Sequence, residues 1–321
     1  MRVGQLEIPG MLALAPMAGV TDLAFRTVCA EMGADMTVTE MVSSRALVYQ
    51  DKKSRGLLKK NEGSICGVQI FGNDPAIMAE AAGMAIEYSG CDFLDINMGC
   101  PMPKIANNGD GCGLMKEPEL AGQIVKAVSG AVKVPVTVKC RLGWDKGNIN
   151  VESFAQRMED SGAAALTVHG RTRSMLYTGV ADWDTIGKVK KLINIPLIAN
   201  GDIVNGAKAL ECLRRTGADY LMVGRATFGD PWLFTEIKQA LAGEEIAPRP
   251  PLTQRMETAR KQILIALEDK GEHVACLEAR KHLAWYLRGV SHASYYKKEI
   301  SGISCVEQAM TIIEGIKKDL K

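Results

Sequence analysis

Cys100 sits where the apolar run Asp92-Phe-Leu-Asp-Ile-Asn97 breaks into Met98-Gly-Cys-Pro101. The run has the make-up of a buried strand, and Gly99 and Pro101 stop it abruptly. A thiol on that stop, beside the side-chain amide of Asn97, faces outward from the end of a sheet or barrel. Such ends are where α/β enzymes carry their chemistry. A free cysteine is also often a small buried filler. What argues for chemistry here is company, because other strand ends in the chain finish in polar groups too.

Side chains alternate along a strand, so Thr137, Lys139 and Arg141 share one side while Val136, Val138 and Cys140 take the other. A lysine amid Val-Thr-Val needs an anion or ligand to meet it, or a buried carboxylate such as Asp95. Thr167, His169 and Arg171 repeat the pattern, and Arg171 with Arg173 suits phosphate or carbonyl oxygens. Further on, Ile198-Ala-Asn-Gly-Asp202 and Met222-Val-Gly-Arg-Ala226 close two more strands. Their glycines admit a ligand close to the backbone, and Arg225 opens the next helix, as in a phosphate cradle. Ala15-Pro-Met-Ala-Gly19 and Gln69 add backbone groups and an amide suited to a flat heterocycle. Phosphate at one side with amide, lysine and backbone across the mouth describes a pocket for flavin mononucleotide (FMN). Lys139 would lie near the pyrimidine edge of its ring and stabilise the reduced anion.

The elements that position these residues alternate from residue 11 to about 240. Strands are expected at Met11–Pro16, Met36–Thr39, Ile65–Ile70, Phe93–Asn97, Val134–Lys139, Ala165–His169, Pro196–Asn200 and Asp219–Val223. Helices are expected between them, among others at Asp74–Tyr88, Pro118–Val128, Val151–Ser161, Trp183–Leu192 and Ala207–Thr216. Gly33, Gly90, Gly162 and Gly217 fall where helices should end. Eight strand–helix units point to an α/β fold of the (β/α)8 TIM-barrel type. A doubly wound sheet would carry Gly-x-Gly-x-x-Gly after its first strand, and Pro16-Met-Ala-Gly19 does not.

Ala240–Pro251, rich in Pro, Gly and Glu, reads as a linker, which divides the chain into a barrel over 1–242, a linker over 243–252 and a helical domain over 253–321. Helices are expected at Thr253–Gly271, Cys276–Val290 and Val306–Leu320. Their solvent faces should carry Arg255, Arg260, Lys261, Arg280, Lys281, Arg288, Lys297 and Lys298, interleaved with Trp285, Tyr286, Tyr295 and Tyr296. That pattern suits nucleic-acid backbone contacts, or simply a solvated bundle face.

The chain has 321 residues, 47% hydrophobic and 24% charged, enough for one large domain and a smaller appendage. A net charge of +2 neither requires nor excludes a nucleic-acid partner. Nine scattered cysteines without Cys-x-x-Cys, and only four histidines, argue against a disulfide framework and a structural zinc site. No apolar run approaches membrane-spanning length and the N-terminus lacks a signal core, so a soluble cytoplasmic protein is expected.

Taken together, Pro16-Met-Ala-Gly, Gln69, Asp95-Ile-Asn-Met-Gly-Cys-Pro101, Val138-Lys-Cys-Arg141, Val168-His-Gly-Arg-Thr172, Asn200-Gly-Asp202 and Gly224-Arg225 resemble the tRNA-dihydrouridine synthase family, most closely its bacterial B-type branch. The resemblance runs through Arg280-Lys-His-Leu-Ala-Trp-Tyr286 in the helical tail. It implies FMN, NADPH as reductant, and reduction of the C5–C6 double bond of selected tRNA uridines; no obligate protein partner is evident in the sequence. It implies Cys100 as proton donor. It implies Pro16, Met17, Ala18, Gln69, Lys139, His169, Asn200, Gly201, Asp202, Gly224 and Arg225 as FMN contacts. Asn97, Arg141, Arg171 and Thr172 would flank the uracil. One departure is visible: Gly111-Cys-Gly113 stands where relatives commonly have Gly-Ser-Ala, which adds a second thiol to a loop expected to be mobile. Competing readings are a flavin barrel acting on a free pyrimidine, a Schiff-base aldolase using Lys139, and a tRNA-binding module with a structural flavin.

Overall fold

In the computed structural model, which describes residues 2–320, eight parallel strands close on themselves. They are β1 (Leu12–Leu14), β2 (Met36–Val38), β3 (Ile65–Phe71), β4 (Phe93–Met98), β5 (Val136–Cys140), β6 (Ala165–His169), β7 (Leu197–Asn200) and β8 (Tyr220–Val223). Each strand pairs with its sequence neighbour, β8 pairs with β1, and β2 pairs with β3, so no edge is left. The expected (β/α)8 barrel is what forms.

Its helices are α1 (Leu23–Glu31), α2 (Ser44–Val48), α3 (Pro75–Ser89), α4 (Pro118–Ala131), α5 (Val151–Asp160), α6 (Trp183–Lys190), α7 (Gly206–Thr216) and α8 (Leu233–Ala242). Asp22, Asp74, Asp182 and Asn205 cap α1, α3, α6 and α7 by accepting from first-turn amides. The alternation of strand side chains sorts the chemistry. Val68, Leu94, Ile96, Val136, Val138, Leu166 and Val168 point outward into one apolar layer beneath the helices. Ala13, Met36, Phe93, Ala165, Ile198 and Tyr220 point inward and fill the barrel floor with Val3 and Ile8. Val3 belongs to, and Ile8 directly follows, a hairpin of Arg2–Val3 and Leu6–Glu7, absent from the sequence expectations, that plugs the base; the Tyr220 hydroxyl donates to the Ile8 carbonyl at 3.1 Å. The polar members of the inward set lie one and two layers higher, toward the mouth.

After an irregular stretch over 244–251 come α9 (Leu252–Lys270), α10 (Glu272–Tyr286), α11 (Ser294–Ser301) and α12 (Val306–Asp319). Met1 and Lys321, the outermost residues of the expected units, lie outside the described residues. These helices build their own cluster from Met256, Ile263, Leu283, Tyr286, Ile300 and Ile313, which Trp232 joins from the barrel side. The tail is also bound to α1: Lys270 bridges Asp22 at 2.8 Å and Glu278 at 2.5 Å, and Lys261 pairs with Glu31 at 2.5 Å. Among the described residues no helix is long and apolar enough to cross a membrane.

The expected aromatic and basic solvent face needs correction. Tyr286 and Tyr296 are buried, and Trp285 stacks on Phe228 of the barrel with ring centroids 4.2 Å apart. Arg260 pairs with Glu314, while Arg255, Arg280 and Lys281 donate to the carbonyls of Tyr286, Ile303 and Gly19. Large flat rings are worth more against the barrel than in water, and they draw the tail onto it. Lys261, paired with Glu31, and Arg288, Tyr295, Lys297 and Lys298 are what remains exposed.

Gly229, just before α8, lies at φ +71°, and a Cβ there would come within 2.2 Å of the Trp285 backbone. Gly229→Ala should therefore cost about 1–3 kcal/mol through overpacking at a strained backbone position. Thermal unfolding, with faster proteolytic cleavage within residues 243–251, checks this; an unchanged melting temperature would contradict it.

Candidate active site

The upper inward layers open into a cavity of about 710 Å³ at the C-terminal mouth of the barrel, the size of a cofactor pocket. It is lined by Pro16, Met17, Ala18, Gln69, Asn97, Cys100, Lys139, Arg141, His169, Arg171, Asn200, Gly201, Asp202, Gly224 and Arg225. Every site residue expected from the sequence is there except Thr172. That residue is buried behind the wall, with its hydroxyl 3.2 Å from Ser174 and its carbonyl accepting from Arg141 at 2.9 Å. Thr172 does not line the cavity.

The arginines are brackets as much as ligands. Arg141 donates to the carbonyls of Gly99, Thr172 and Leu176, all at 2.9 Å, tying the end of β4 to the loop after β6. Arg171 is held by both oxygens of Asp202 at 2.8 Å and donates to Thr178 and Gly179 carbonyls. Asp202 needs the hold, since it sits at φ +56° and also accepts the Ala181 amide. Gly201 before it lies at φ +118°, where a Cβ would come within 2.9 Å of the His169 ring.

Lys139 is enclosed by the barrel and, among the described residues, has no carboxylate in ion-pair range; its ammonium donates to Asn200 at 3.2 Å. The expected alternative, a salt bridge to Asp95, does not form. Burial, and then repulsion from Arg141, draw Lys139 down to about 8. Asp95 lies one layer lower with its two oxygens accepting from Gln69 and Thr137; burial pushes it up to about 6. Burial, followed by Lys139, Arg141, Arg171 and Arg225, holds His169 neutral, well below its ordinary range. A pocket with this much positive charge and a lysine lacking an anion fits a negatively charged ligand.

Cys100 opens onto the cavity, partly exposed. Its backbone N–H and that of Gly99 donate to Asn97 Oδ1 at 2.9 and 3.1 Å. Burial raises the thiol, against the Met102 amide, Arg141 and Lys139, so it stays protonated at neutral pH. The second thiol is elsewhere: of the loop 108–113, expected to be mobile, Gly111, Cys112 and Gly113 fall in a largely buried 3-10 helix, Gly111–Lys116. Cys112 is fully buried within it, its sulfur 3.9 Å from the Gly143 carbonyl, and burial pushes it up to about 12. Sequence reading missed Met41, Tyr177 and Phe228, which also line the cavity. Met41 follows β2 as Cys100 follows β4, so the strand-end rule could have found it. The Tyr177 ring lies 4.6 Å from the Arg225 guanidinium and 5.6 Å from that of Arg141, a placement with no local sequence signal.

A family model described as dihydrouridine synthase (Dus) matches residues 13–320. The chain belongs to the dihydrouridine synthase family. Membership makes it an enzyme, an oxidoreductase. It is 42% identical over 316 residues to tRNA-dihydrouridine synthase B of Escherichia coli (strain K12), covering 98% of each chain. The same protein of Vibrio cholerae is 41% identical over 316 residues, again with 98% of each covered, which places the chain with the B-type branch. A probable tRNA-dihydrouridine synthase of Rickettsia conorii is 40% identical over 302 residues, covering 94% of this chain and 91% of that one. Among solved structures, morphinone reductase aligns over 78% of this chain and 92% of its own, with a TM-score of 0.55 at 12% identity. Histamine dehydrogenase from Rhizobium sp. 4-9 aligns over 80% of this chain and 50% of its own, with a TM-score of 0.59 at 13%. At such identity these two speak for the shared barrel only.

The lysine gives a pH test of the family site in its ligand-free state. Because the folded value of about 8 lies below the unfolded one, the stability Lys139 contributes is full above roughly pH 10.4 and is lost as pH falls through about 8. Lys139→Met should therefore stabilise the ligand-free protein by roughly 1–3 kcal/mol at pH 7, a gain that shrinks toward pH 10. Denaturant unfolding at the two pH values measures it; a gain that grows with pH would refute the assignment.

Proposed function

We propose that this chain reduces the C5–C6 double bond of selected uridines in tRNA to 5,6-dihydrouridine, with FMN in the barrel mouth and NADPH as reductant. One observation carries the reading: a protonated thiol, Cys100, and a lysine without a carboxylate partner, Lys139, open onto the same cavity. Family membership supports the reaction, and the donor set fits the cofactor. Pro16, Met17 and Ala18 offer backbone, Gln69 and Asn200 offer amides, and Lys139 offers positive charge to an electron-rich ring. Gly201, Asp202, Gly224 and Arg225, with His169 behind them, suit the phosphate end. Arg225 is exposed and, among the described residues, pairs with no carboxylate, while the charge of Asp202 is already met by Arg171.

When bound and reduced by NADPH, FMN supplies hydride to C6 of the uracil. Charge then builds toward the C4 carbonyl, and C5 needs a proton. Cys100 gives it: burial keeps the thiol protonated near neutral pH, where a carboxylate of ordinary pKa would already be ionised. Arg141 and Lys139 lower the cost of the thiolate left behind. The burial of Cys112, away from the cavity lining, supports Cys100 over it. Asn97 and Arg141 hold the turn that presents Cys100, and Arg171 does the same for the opposite rim.

A base must leave its stack to enter the cavity, at a cost of roughly a few kcal/mol, which is smaller in tRNA loops than in duplex. The rim helps, because Met102, Tyr177 and Val204 stand exposed at the mouth and offer apolar surface to unstacked bases. The tail would add backbone contacts through Arg288, Lys297 and Lys298.

Cys100→Ala should keep its flavin and its oxidation of NADPH by air but lose dihydrouridine formation by about 10²–10⁴-fold. Mass spectrometry of treated tRNA measures the product; product at the normal rate would remove Cys100 from the mechanism. Lys297→Glu with Lys298→Glu should weaken tRNA binding about equally across tRNA sequences and flatten the log K against log salt slope by roughly 2. An unchanged slope would mean that these lysines face solvent in the complex.

A further inference from the structure

Between the floor of the barrel and the turn that carries Cys100 runs a chain of side chains with one direction. Thr137 Oγ1 donates to Asp95 Oδ1 at 2.5 Å. Gln69 Nε2 donates to Asp95 Oδ2 at 2.6 Å. Asn97 Nδ2 then donates to Gln69 Oε1 at 2.8 Å, and Asn97 Oδ1 accepts the amides of Gly99 and Cys100 at 3.1 and 2.9 Å. Strand register makes the chain possible, since Gln69, Asp95 and Thr137 lie opposite one another on β3, β4 and β5. Each is buried, so none can trade its partner for water.

We propose that Asp95 is a positioning residue for the reaction: as the oxygen acceptor at the root of this relay it fixes which way the Gln69 and Asn97 amides point, and so holds the Cys100 turn in place. This rests on the functional reading above for what the thiol does, but not for the relay itself. An amide has a donor end and an acceptor end, so two in series transmit polarity. An acceptor at residue 95 requires Gln69 to present its nitrogen. Gln69 then offers oxygen to Asn97, and Asn97 turns its own oxygen to the two backbone amides. If the root acceptor is lost, both amides can rotate, and Asn97 then sets a donor against the N–H groups of Gly99 and Cys100.

What counts is an oxygen on this carbon skeleton, and that separates the relay from a charge effect on Lys139. Asp95→Asn keeps an oxygen for Gln69 and turns its nitrogen to Thr137, whose hydroxyl can accept. Asp95→Leu keeps the shape and offers nothing.

The experiment uses the FMN-loaded, full-length enzyme and compares wild type, Asp95→Asn and Asp95→Leu. It records flavin reduction by NADPH, single-turnover reoxidation by unmodified tRNA, and alkylation of Cys100 by iodoacetamide. The expected result is that Asp95→Leu is reduced normally but reoxidised by tRNA at least tenfold more slowly, with faster Cys100 alkylation as the turn loosens. Asp95→Asn should stay within about threefold of wild type on each readout. Wild-type rates in Asp95→Leu would overturn the proposal. So would an Asp95→Asn variant as slow as Asp95→Leu, which would make the negative charge the essential element.

Should Asp95→Leu fail to fold, reversing the relay decides. Asn97→Asp sets Gln69 between two acceptors and should slow reoxidation. Adding Asp95→Asn gives Gln69 a donor at its root and should recover at least tenfold of that loss; no recovery overturns the proposal. If tRNA does not reoxidise even the wild-type flavin, the functional reading fails. The order of Cys100 alkylation rates still tests the relay.

Discussion

Positive charge crowded into a small volume is the constraint from which the site follows. Burial first, and then Lys139, Arg141, Arg171 and Arg225 together, keep His169 neutral. Such crowding is unfavourable by itself, and the fold manages it by giving the two buried guanidiniums oxygen partners. Arg141 receives three backbone carbonyls, and Arg171 receives two carbonyls and a carboxylate. Those partners come from the segments that follow β4, β6 and β7, so the same contacts that make the charge bearable shape the rim. Among the described residues Lys139 and Arg225 are left without a carboxylate, which suits the anionic cofactor proposed above.

The thiol lives within the same field. Burial and the nearby cations act on it in opposite directions, and burial wins. Cys112 meets similar cations in a deeper position and is driven much higher, up to about 12. Two cysteines twelve residues apart thus have different chemistry because one sits on a turn at the mouth and the other inside a packed 3-10 helix.

Much of this was legible in the chain. Strand alternation separated Thr137, Lys139 and Arg141 from Val136, Val138 and Cys140, and the inward set is polar while the outward set packs under helices. Abrupt Gly and Pro stops located Cys100 at a strand end. Thr172, by contrast, does not line the cavity: a loop, unlike a strand, has no fixed period from which to place a side chain. The tail's aromatics were misread because helical periodicity tells which residues share a face but not what covers it. Trp285 and Tyr286 are interface and core, a fact that depends on Phe228 and Trp232, more than fifty residues earlier in sequence. The Asp95 relay was invisible for the same reason: it joins β3, β4 and β5, and only register brings its members level.

Phe228 belongs to two surfaces. One side of its ring helps wall the cavity, and the ring stacks on Trp285 of α10. The appendage is thus not hung from the barrel by its connecting segment alone; it leans on a piece of the reaction chamber. Changing the length or bulk of the segment between β8 and α8 would shift wall and appendage together, so this short stretch has less freedom to vary than its position outside the strands would suggest.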